Sequence, residues 1–229
     1  MKKGIGTIDF KSRVSNFWHY HWKIIVCGVL VLGVVVFLLV DYLVKPVDVK
    51  IVVLSRNESV LDLSKIHEVL IDYTPDRNGD NIINLEIHNI SPSNSELSDE
   101  EFVLNSISRL QDRETYLYLI DSELFDLLEK QPDERNIPEG FVNFSEENPN
   151  NPYVKGKGYN VIGSPFQEGF GISDELAEKY FESGLLLVLR APVTEYSLTA
   201  GGDVEMPGYF QADAMMRYIV RGTPVKRID

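Results

Sequence analysis

The sequence predicts an α/β fold: an N-terminal transmembrane helix followed by a mostly parallel sheet with helices on both faces. A 17-residue apolar run, residues 24–40, lies near the N-terminus. Val- and Ile-rich segments then alternate with amphipathic helical segments, a pattern that favours parallel strands joined by right-handed crossovers. The content of 44% hydrophobic and 25% charged residues is typical of a folded chain with room for one ordinary domain beside the helix.

The apolar run is long enough to span a membrane. Residues 24–40 contain no charged side chain, and about 20 helical residues cross a hydrocarbon core of about 30 Å. We therefore predict a transmembrane helix at residues 23–44, with membrane lipid as the partner of residues 24–44. Aromatic residues flank the run, as is typical of the two membrane interfaces: Phe17, Trp18, Tyr20 and Trp22 precede it and Tyr42 follows it.

Charge predicts the orientation of this helix. Five basic residues and one acid, Asp9, precede residue 24, so the positive-inside rule places residues 1–22 in the cytoplasm as a basic N-terminus at the cell membrane. No small-residue cleavage motif follows the run, which argues against a removed signal peptide. Cys27 is the sole cysteine. No intrachain disulfide can form, which favours a bacterial surface over an animal one.

Residues 45–229 are then expected to form an extracellular α/β domain with an acidic surface. From Lys45 onward the chain has 17 basic and 33 acidic residues. Such a surface repels phosphate backbones, so nucleic acid is excluded as a partner of this domain. A protein or a small solute is the expected partner instead.

The first strand, helix and strand follow one another directly. Residues 47–56 are rich in Val and Ile, which predicts a strand. Apolar residues at helical spacing predict a helix over 57–73, capped by Asn57 or Ser59, and the Thr74-Pro75 pair ends it because the residue before a proline leaves the helical region. Residues 82–90 alternate apolar and polar side chains, which is the period of a strand.

The same cycle then repeats. Ser98 and Glu101 have the spacing of a capping box, so a helix is expected to begin there. Residues 114–120 predict the third strand, and another helix opens at Asp121 or Ser122. Three strands alternating with three helices in about 85 residues imply a parallel sheet with right-handed crossovers.

The last third of the chain begins with a long surface excursion, residues 131–160, in which Pro, Asn and Gly are concentrated. Residues 159–164 predict a strand, and a helix capped by Ser173 follows it. Residues 184–192 contain a run that is apolar on both faces, as a central buried strand requires. A final helix is expected over 210–221.

One loop has the pattern of a calcium ligand set. Asp76, Asn78 and Asp80 match the first three side-chain ligands of EF-hand and dockerin-type loops, which offer calcium hard oxygen atoms. Asn81 stands where those loops have glycine, and Ile87 where they have a bidentate glutamate. Two interpretations therefore stay open and can both hold: weak binding of calcium, the candidate cofactor, or a tight turn from helix into strand.

Catalytic motifs are lacking in the sequence. It contains no nucleophile elbow and no phosphate-binding glycine loop, and its four histidines are not spaced as zinc ligands. Acid pairs such as Asp99-Glu100 are expected to be solvated surface charge. We therefore predict no catalytic residue and no enzymatic activity.

The order of elements resembles a known architecture. The juxtamembrane "FWHYHWKI", one span, then "VDVKIVVLSR", "DRNGDNIINLEIHNI" and "RETYLYLIDSELFDLL" resemble small membrane-anchored proteins of Gram-positive anaerobes, whose outer domains are similar to one lobe of type 2 extracellular solute-binding proteins. The resemblance covers residues 48–130 and the closing strand and helix at 185–221. It implies a ligand cleft beside the acid that ends the third strand, and hence Asp121 and Ser122 as ligand-binding residues.

These observations predict a single-pass membrane-anchored extracellular domain that binds a solute or a neighbouring protein without catalysis. Its length permits one lobe or two trimmed ones. If it binds a solute, Asp121 and Ser122 are expected to share a pocket with the loop after Arg190. The alternatives are a calcium-dependent adhesion or assembly module and a cell-envelope hydrolase that uses two converging acids.

Overall fold

The computed structural model describes residues 10–43, 47–89, 98–112, 114–130, 140–192, 194–197, 202–205 and 208–225. The chain divides into two compact units, Met1–Lys45 and Pro46–Asp229. Parts of four predicted segments lie outside the described residues: the start of the basic N-terminus, the last residue of the 23–44 helix, the last residue of the 82–90 strand, and residues 131–139 of the surface excursion.

The first unit contains one helix, α1, Phe10–Leu43. Its stretch Phe17–Phe37 has a mean hydropathy of 2.1 and is long and apolar enough to cross a membrane; none of it is buried in the described structure. The predicted apolar helix is confirmed. It begins earlier than predicted because residues 10–22 contain neither proline nor glycine to stop it.

The second unit is an α/β domain built on a mixed six-stranded sheet with the strand order β2-β1-β3-β6-β5-β4. A separate two-stranded antiparallel ribbon pairs β7 with β8. The strands are β1 (Val49–Leu54), β2 (Leu85–Asn89), β3 (Leu117–Asp121), β4 (Val154–Lys155), β5 (Gly158–Asn160), β6 (Leu185–Leu189), β7 (Thr194–Ser197) and β8 (Gly202–Glu205).

The sheet is parallel only on one side, so a mostly parallel sheet is not confirmed. β1 pairs in parallel with β2 and β3, whereas the β3–β6, β6–β5 and β5–β4 pairs are antiparallel. The apolar run of β6 indicates a buried central strand, but burial is the same for either direction. The direction depends on the connection, which returns the chain to the carboxyl end of β3.

Helices cover both faces of the sheet, as predicted. They are α2 (Leu63–Leu70), α3 (Asp99–Leu110), α4 (Ser122–Lys130), α5 (Phe166–Gly169), α6 (Asp174–Tyr180) and α7 (Tyr209–Arg221). Ile51 and Val53 point into a core formed with α2, α5, α6 and α7. Val52 and Leu54 point into a second core formed with α3 and α4. This alternation follows from the two-residue period of a strand.

Local capping determines where the helices begin. The capping box is confirmed: Ser98 Oγ accepts from Glu101 N at 3.3 Å, and Glu101 Oε2 accepts from Ser98 N at 3.0 Å. The predicted 57–73 helix is instead a 3-10 turn, then α2, then a second 3-10 turn at Ile71–Tyr73. Asp62 caps α2, in place of Asn57 or Ser59, because its carboxylate accepts the amides of the first turn.

Candidate functional site

The chain leaves two neighbouring parallel strands toward opposite faces of the sheet. After β1 it enters α2, in the first core, and after β3 it enters α4, in the second. The strand order 2-1-3 therefore places a topological switch point between the carboxyl ends of β1 and β3. Open α/β sheets commonly bind their ligands in the crevice at such a point.

Asp121, the last residue of β3, joins the two strand ends. Its Oδ1 accepts from Ser55 Oγ at 2.8 Å and its Oδ2 accepts from Arg56 N at 2.8 Å. Ser55 Oγ in turn accepts from Asn57 N at 3.1 Å. One carboxylate therefore holds the first residues after β1 against the end of β3.

The Asp121 carboxyl lies in a partly desolvated position. Burial raises its pKa to about 6, against the lowering effect of the hydrogen bonds from Arg56 N and Ser55 Oγ, while the nearby Glu123 charge raises it further. The carboxyl therefore changes its protonation state close to neutral pH. Its pKa is perturbed in a crevice, which is typical of functional sites.

A cavity of about 210 Å³ opens beside Asp121; we call it the switch-point cavity. It brings together the two predicted ligand-binding residues, Asp121 and Ser122, with residues 179–184. Its charged lining residues carry both signs: Arg56 and Lys179 are basic, and Asp121, Glu123 and Glu182 are acidic. This mixture favours a ligand that carries both charges or none.

The prediction that the loop after Arg190 shares a pocket with Asp121 and Ser122 is wrong. β6 runs antiparallel to β3, with Asp121 opposite Leu185 and Leu117 opposite Leu189. Arg190 therefore lies at the amino end of β3, and Gly184 takes the place beside Asp121. Ser122 N donates to Gly184 O at 3.1 Å, which fixes this junction.

Gly184 forms part of the cavity wall, and its lack of a side chain leaves room for the polar groups of Ser122 and Asn160. It has φ +108°, and a Cβ there would lie 2.9 Å from Ser122 Oγ and 3.0 Å from Asn160 Oδ1. Asn160 is only 9% exposed, and its Oδ1 has no hydrogen-bond partner among the described residues. A buried acceptor without a donor costs about 1–3 kcal/mol; Asn160 itself is not among the described residues that line the cavity.

The calcium-like loop lies elsewhere, ahead of the amino end of β2. Asp76 accepts the amides of Asn78, Gly79 and Asn81, and Asp80 Oδ1 accepts Ile82 N at 2.7 Å. Desolvation raises the pKa of Asp76, but these backbone donors lower it more, so it lies below its usual value. The left-handed Asn81, with φ 61°, stands at the expected glycine position.

These contacts show how Asp76, Asn78 and Asp80 turn the chain. Their oxygens satisfy amides of their own loop, which is what the turn interpretation requires. The calcium hypothesis stays a prediction. Within the described ranges, no group of three or more His, Cys, Asp or Glu is placed to hold a metal ion.

The sequence interpretation missed two polar residues, Asp48 and Asn160. Asp48 is 2% exposed and its carboxylate accepts Arg77 N at 2.8 Å and Asn84 N at 2.7 Å, so it ties together both ends of the loop. Its partners are distant in sequence, and no local pattern reveals them. Asn160 lies within a predicted strand, where an isolated polar residue among apolar neighbours was its only signal.

No protein-family model, curated protein or solved structure matches this chain. The chemistry of the switch-point cavity therefore follows from its own side chains. It offers a carboxyl of raised pKa, the hydroxyls of Ser122 and Ser183, and two basic side chains within one small volume. These groups can hold a small polar molecule in a defined orientation.

Proposed function

We propose that this protein is a single-pass, membrane-anchored extracellular binding domain that takes a small polar solute in the switch-point cavity without chemical conversion. The observation that carries the proposal is the cavity itself, which gathers Asp121, Ser122 and side chains of both charges at the carboxyl ends of β1 and β3. Ligand crevices of α/β sheets occur at this position. The solute-binding-like resemblance of the sequence agrees with this function.

The cavity favours a small zwitterion that carries hydrogen-bond donors, such as a free amino acid. Its volume of about 210 Å³ lies below the range of about 300–1,000 Å³ that is usual for larger ligands. An ammonium group would donate to Ser122 Oγ and be drawn to the acidic Glu123 or Glu182. A carboxylate would be drawn to the basic Arg56 or Lys179.

Thermal unfolding of the full chain in lipid nanodiscs tests this function. We expect glycine, alanine or serine at millimolar concentration to raise the melting temperature by several degrees, because a ligand at about 100 times its Kd adds about 2.7 kcal/mol. Glycine betaine, which has the same charges but no N–H donor, should give no shift. The absence of a shift with all three amino acids would contradict the proposal.

Ser122→Ala is the decisive variant. It removes a hydroxyl that lines the cavity and keeps the backbone hydrogen bond from Ser122 N to Gly184 O, so the protein should stay folded without ligand. The shift caused by amino acids should disappear. The same measurement is repeated with calcium in place of amino acids. If calcium alone raises the melting temperature and Asp80→Ala abolishes this rise, the result would support the adhesion or assembly module instead.

The proposed orientation rests on the five basic residues before the apolar run. In a Cys27→Ser background, a cysteine at the exposed Glu146 should react with a membrane-impermeant maleimide on intact cells. A cysteine replacing Lys3 should react only after the cells are permeabilised. The reverse labelling pattern would place the domain in the cytoplasm.

A cell-envelope hydrolase is the second candidate. Asp121 and Glu123 line one cavity, and a carboxyl with a pKa of about 6 suits a general acid. Binding is favoured because both oxygens of Asp121 already accept hydrogen bonds within the protein. Release of soluble fragments from purified cell wall by the wild type, but not by Asp121→Asn, would favour the hydrolase.

A further inference from the structure

A second, larger cleft lies on the first face of the sheet. It has a volume of about 670 Å³ and is lined by parts of α2, α5, α7 and the segment 150–153; we call it the aromatic cleft. It shares no lining residue with the switch-point cavity. Its volume falls within the range of about 300–1,000 Å³ that is usual for ligand pockets.

One wall of the cleft consists of four neighbouring aromatic rings. The ring centroids of Tyr73 and Phe166 are 5.1 Å apart, those of Tyr159 and Phe166 5.7 Å, and those of Tyr153 and Tyr159 6.0 Å. Tyr159 and Phe166 are buried and belong to the core. Tyr73 and Tyr153 are partly exposed, so the wall offers apolar ring surface and phenol groups together.

The charge of the cleft differs from that of the domain around it. None of its described lining residues is acidic, although the chain has 33 acids from Lys45 onward. Among the residues that the structure describes, the only charged one in the lining is Arg221, exposed at the end of α7. These residues therefore offer one positive charge to an anionic group and no counter-charge to a cation.

The geometry also argues against an extended peptide. Tyr159 lies on β5, which is hydrogen-bonded to β4 on one side and to β6 on the other. A peptide could not add a strand there because no backbone edge of β5 is open. A ligand of this cleft would therefore be recognised by contacts with side chains and not by backbone hydrogen bonds to β5.

We propose that the aromatic cleft binds a carboxylate-bearing oligosaccharide. Sugar rings combine apolar C–H faces, which pack on aromatic side chains, with hydroxyls that exchange hydrogen bonds with phenol and amide groups. Tyr153 supplies a partly exposed ring and Asn150 an exposed amide at the same rim. The guanidinium of Arg221 would pair with the sugar carboxylate.

Calorimetric titration of the full chain in nanodiscs tests this site with trigalacturonic acid and a hyaluronan tetrasaccharide. We expect at least one of them to bind. Arg221→Gln, an exposed substitution, should weaken binding at least tenfold. The methyl ester of trigalacturonic acid should bind more weakly than the acid to the wild type and equally to both proteins.

Two aromatic variants distinguish binding in the cleft from nonspecific binding to exposed aromatic residues. Tyr153→Ala should abolish measurable binding, while Phe210→Ala should leave it unchanged, because Phe210 is a 65% exposed aromatic residue of α7 outside the cleft. Failure of both acidic sugars to bind would overturn the proposal. Binding that Arg221→Gln leaves unaltered would also overturn it, whether or not Tyr153→Ala folds.

Discussion

Asp48→Ala should lower the free energy of unfolding by about 3–5 kcal/mol. Asp48 is 2% exposed, and its two oxygens accept Arg77 N and Asn84 N at 2.8 and 2.7 Å. Hydrogen bonds to a charged group contribute about 1.5–3 kcal/mol each, and alanine would leave both amides without an acceptor. Urea unfolding of the full chain in detergent micelles, followed by near-ultraviolet circular dichroism, measures the loss.

Two matched variants show that the buried geometry causes this loss. Asp48→Asn keeps one acceptor but turns an N–H donor toward the second amide, so its loss should be intermediate. Asp80→Ala removes an exposed carboxylate of the same loop, which accepts only Ile82 N in the described structure; its loss should stay below about 1 kcal/mol. Equal losses for Asp48→Ala and Asp80→Ala would contradict this role of Asp48.

Asp121 should make the domain less stable as the pH rises from 4 to 7. Its pKa is about 6 in the folded protein and 3.8 for the ordinary carboxyl. Between these values the folded state binds the proton more strongly, so the contribution of Asp121 to stability is greatest below pH 4 and is lost as the pH passes 6. The linkage between proton binding and folding, reduced because the carboxyl is partly exposed, gives a loss of about 2 kcal/mol in the free energy of unfolding.

Asp121→Asn isolates this contribution because an amide does not titrate. The variant loses one acceptor for Ser55 Oγ or Arg56 N, a cost that is the same at both pH values. Relative to the wild type, it should therefore gain about 2 kcal/mol of stability between pH 4 and pH 7. Urea unfolding of both proteins at the two pH values gives this difference, and a pH-independent difference would show that Asp121 is not desolvated.

Features governed by neighbours in sequence were predicted well. The Ser98–Glu101 capping box and the Ser173 cap both form, since a cap satisfies amides only two or three residues away. The apolar runs of β1, β3 and β6 become buried strands. Asp121 and Ser122, which the family resemblance implied as ligand-binding residues, both line the switch-point cavity; their binding of a ligand stays a prediction.

Features that depend on distant partners were not predicted. The hydrogen bonds of Asp48 span 29 and 36 residues, and Gly184 comes to lie beside Asp121 only through the pairing of β6 with β3. The short hairpin of β4 and β5 has too few residues to display an alternating pattern. The aromatic cleft collects residues from five separate segments, so no single stretch of sequence reveals it.

The sequence by itself determined the apolar helix α1, the α/β class and most of the strands and helices, because hydrophobic period and capping act over a few residues. Only the tertiary structure decided the direction of β6, and with it which loop lies beside Asp121. A strand carries the same apolar side chains in either direction, so its orientation follows from the hydrogen-bond pairing and from the connection that delivers it. That pairing placed Gly184 beside Asp121 and Arg190 at the opposite end of the sheet.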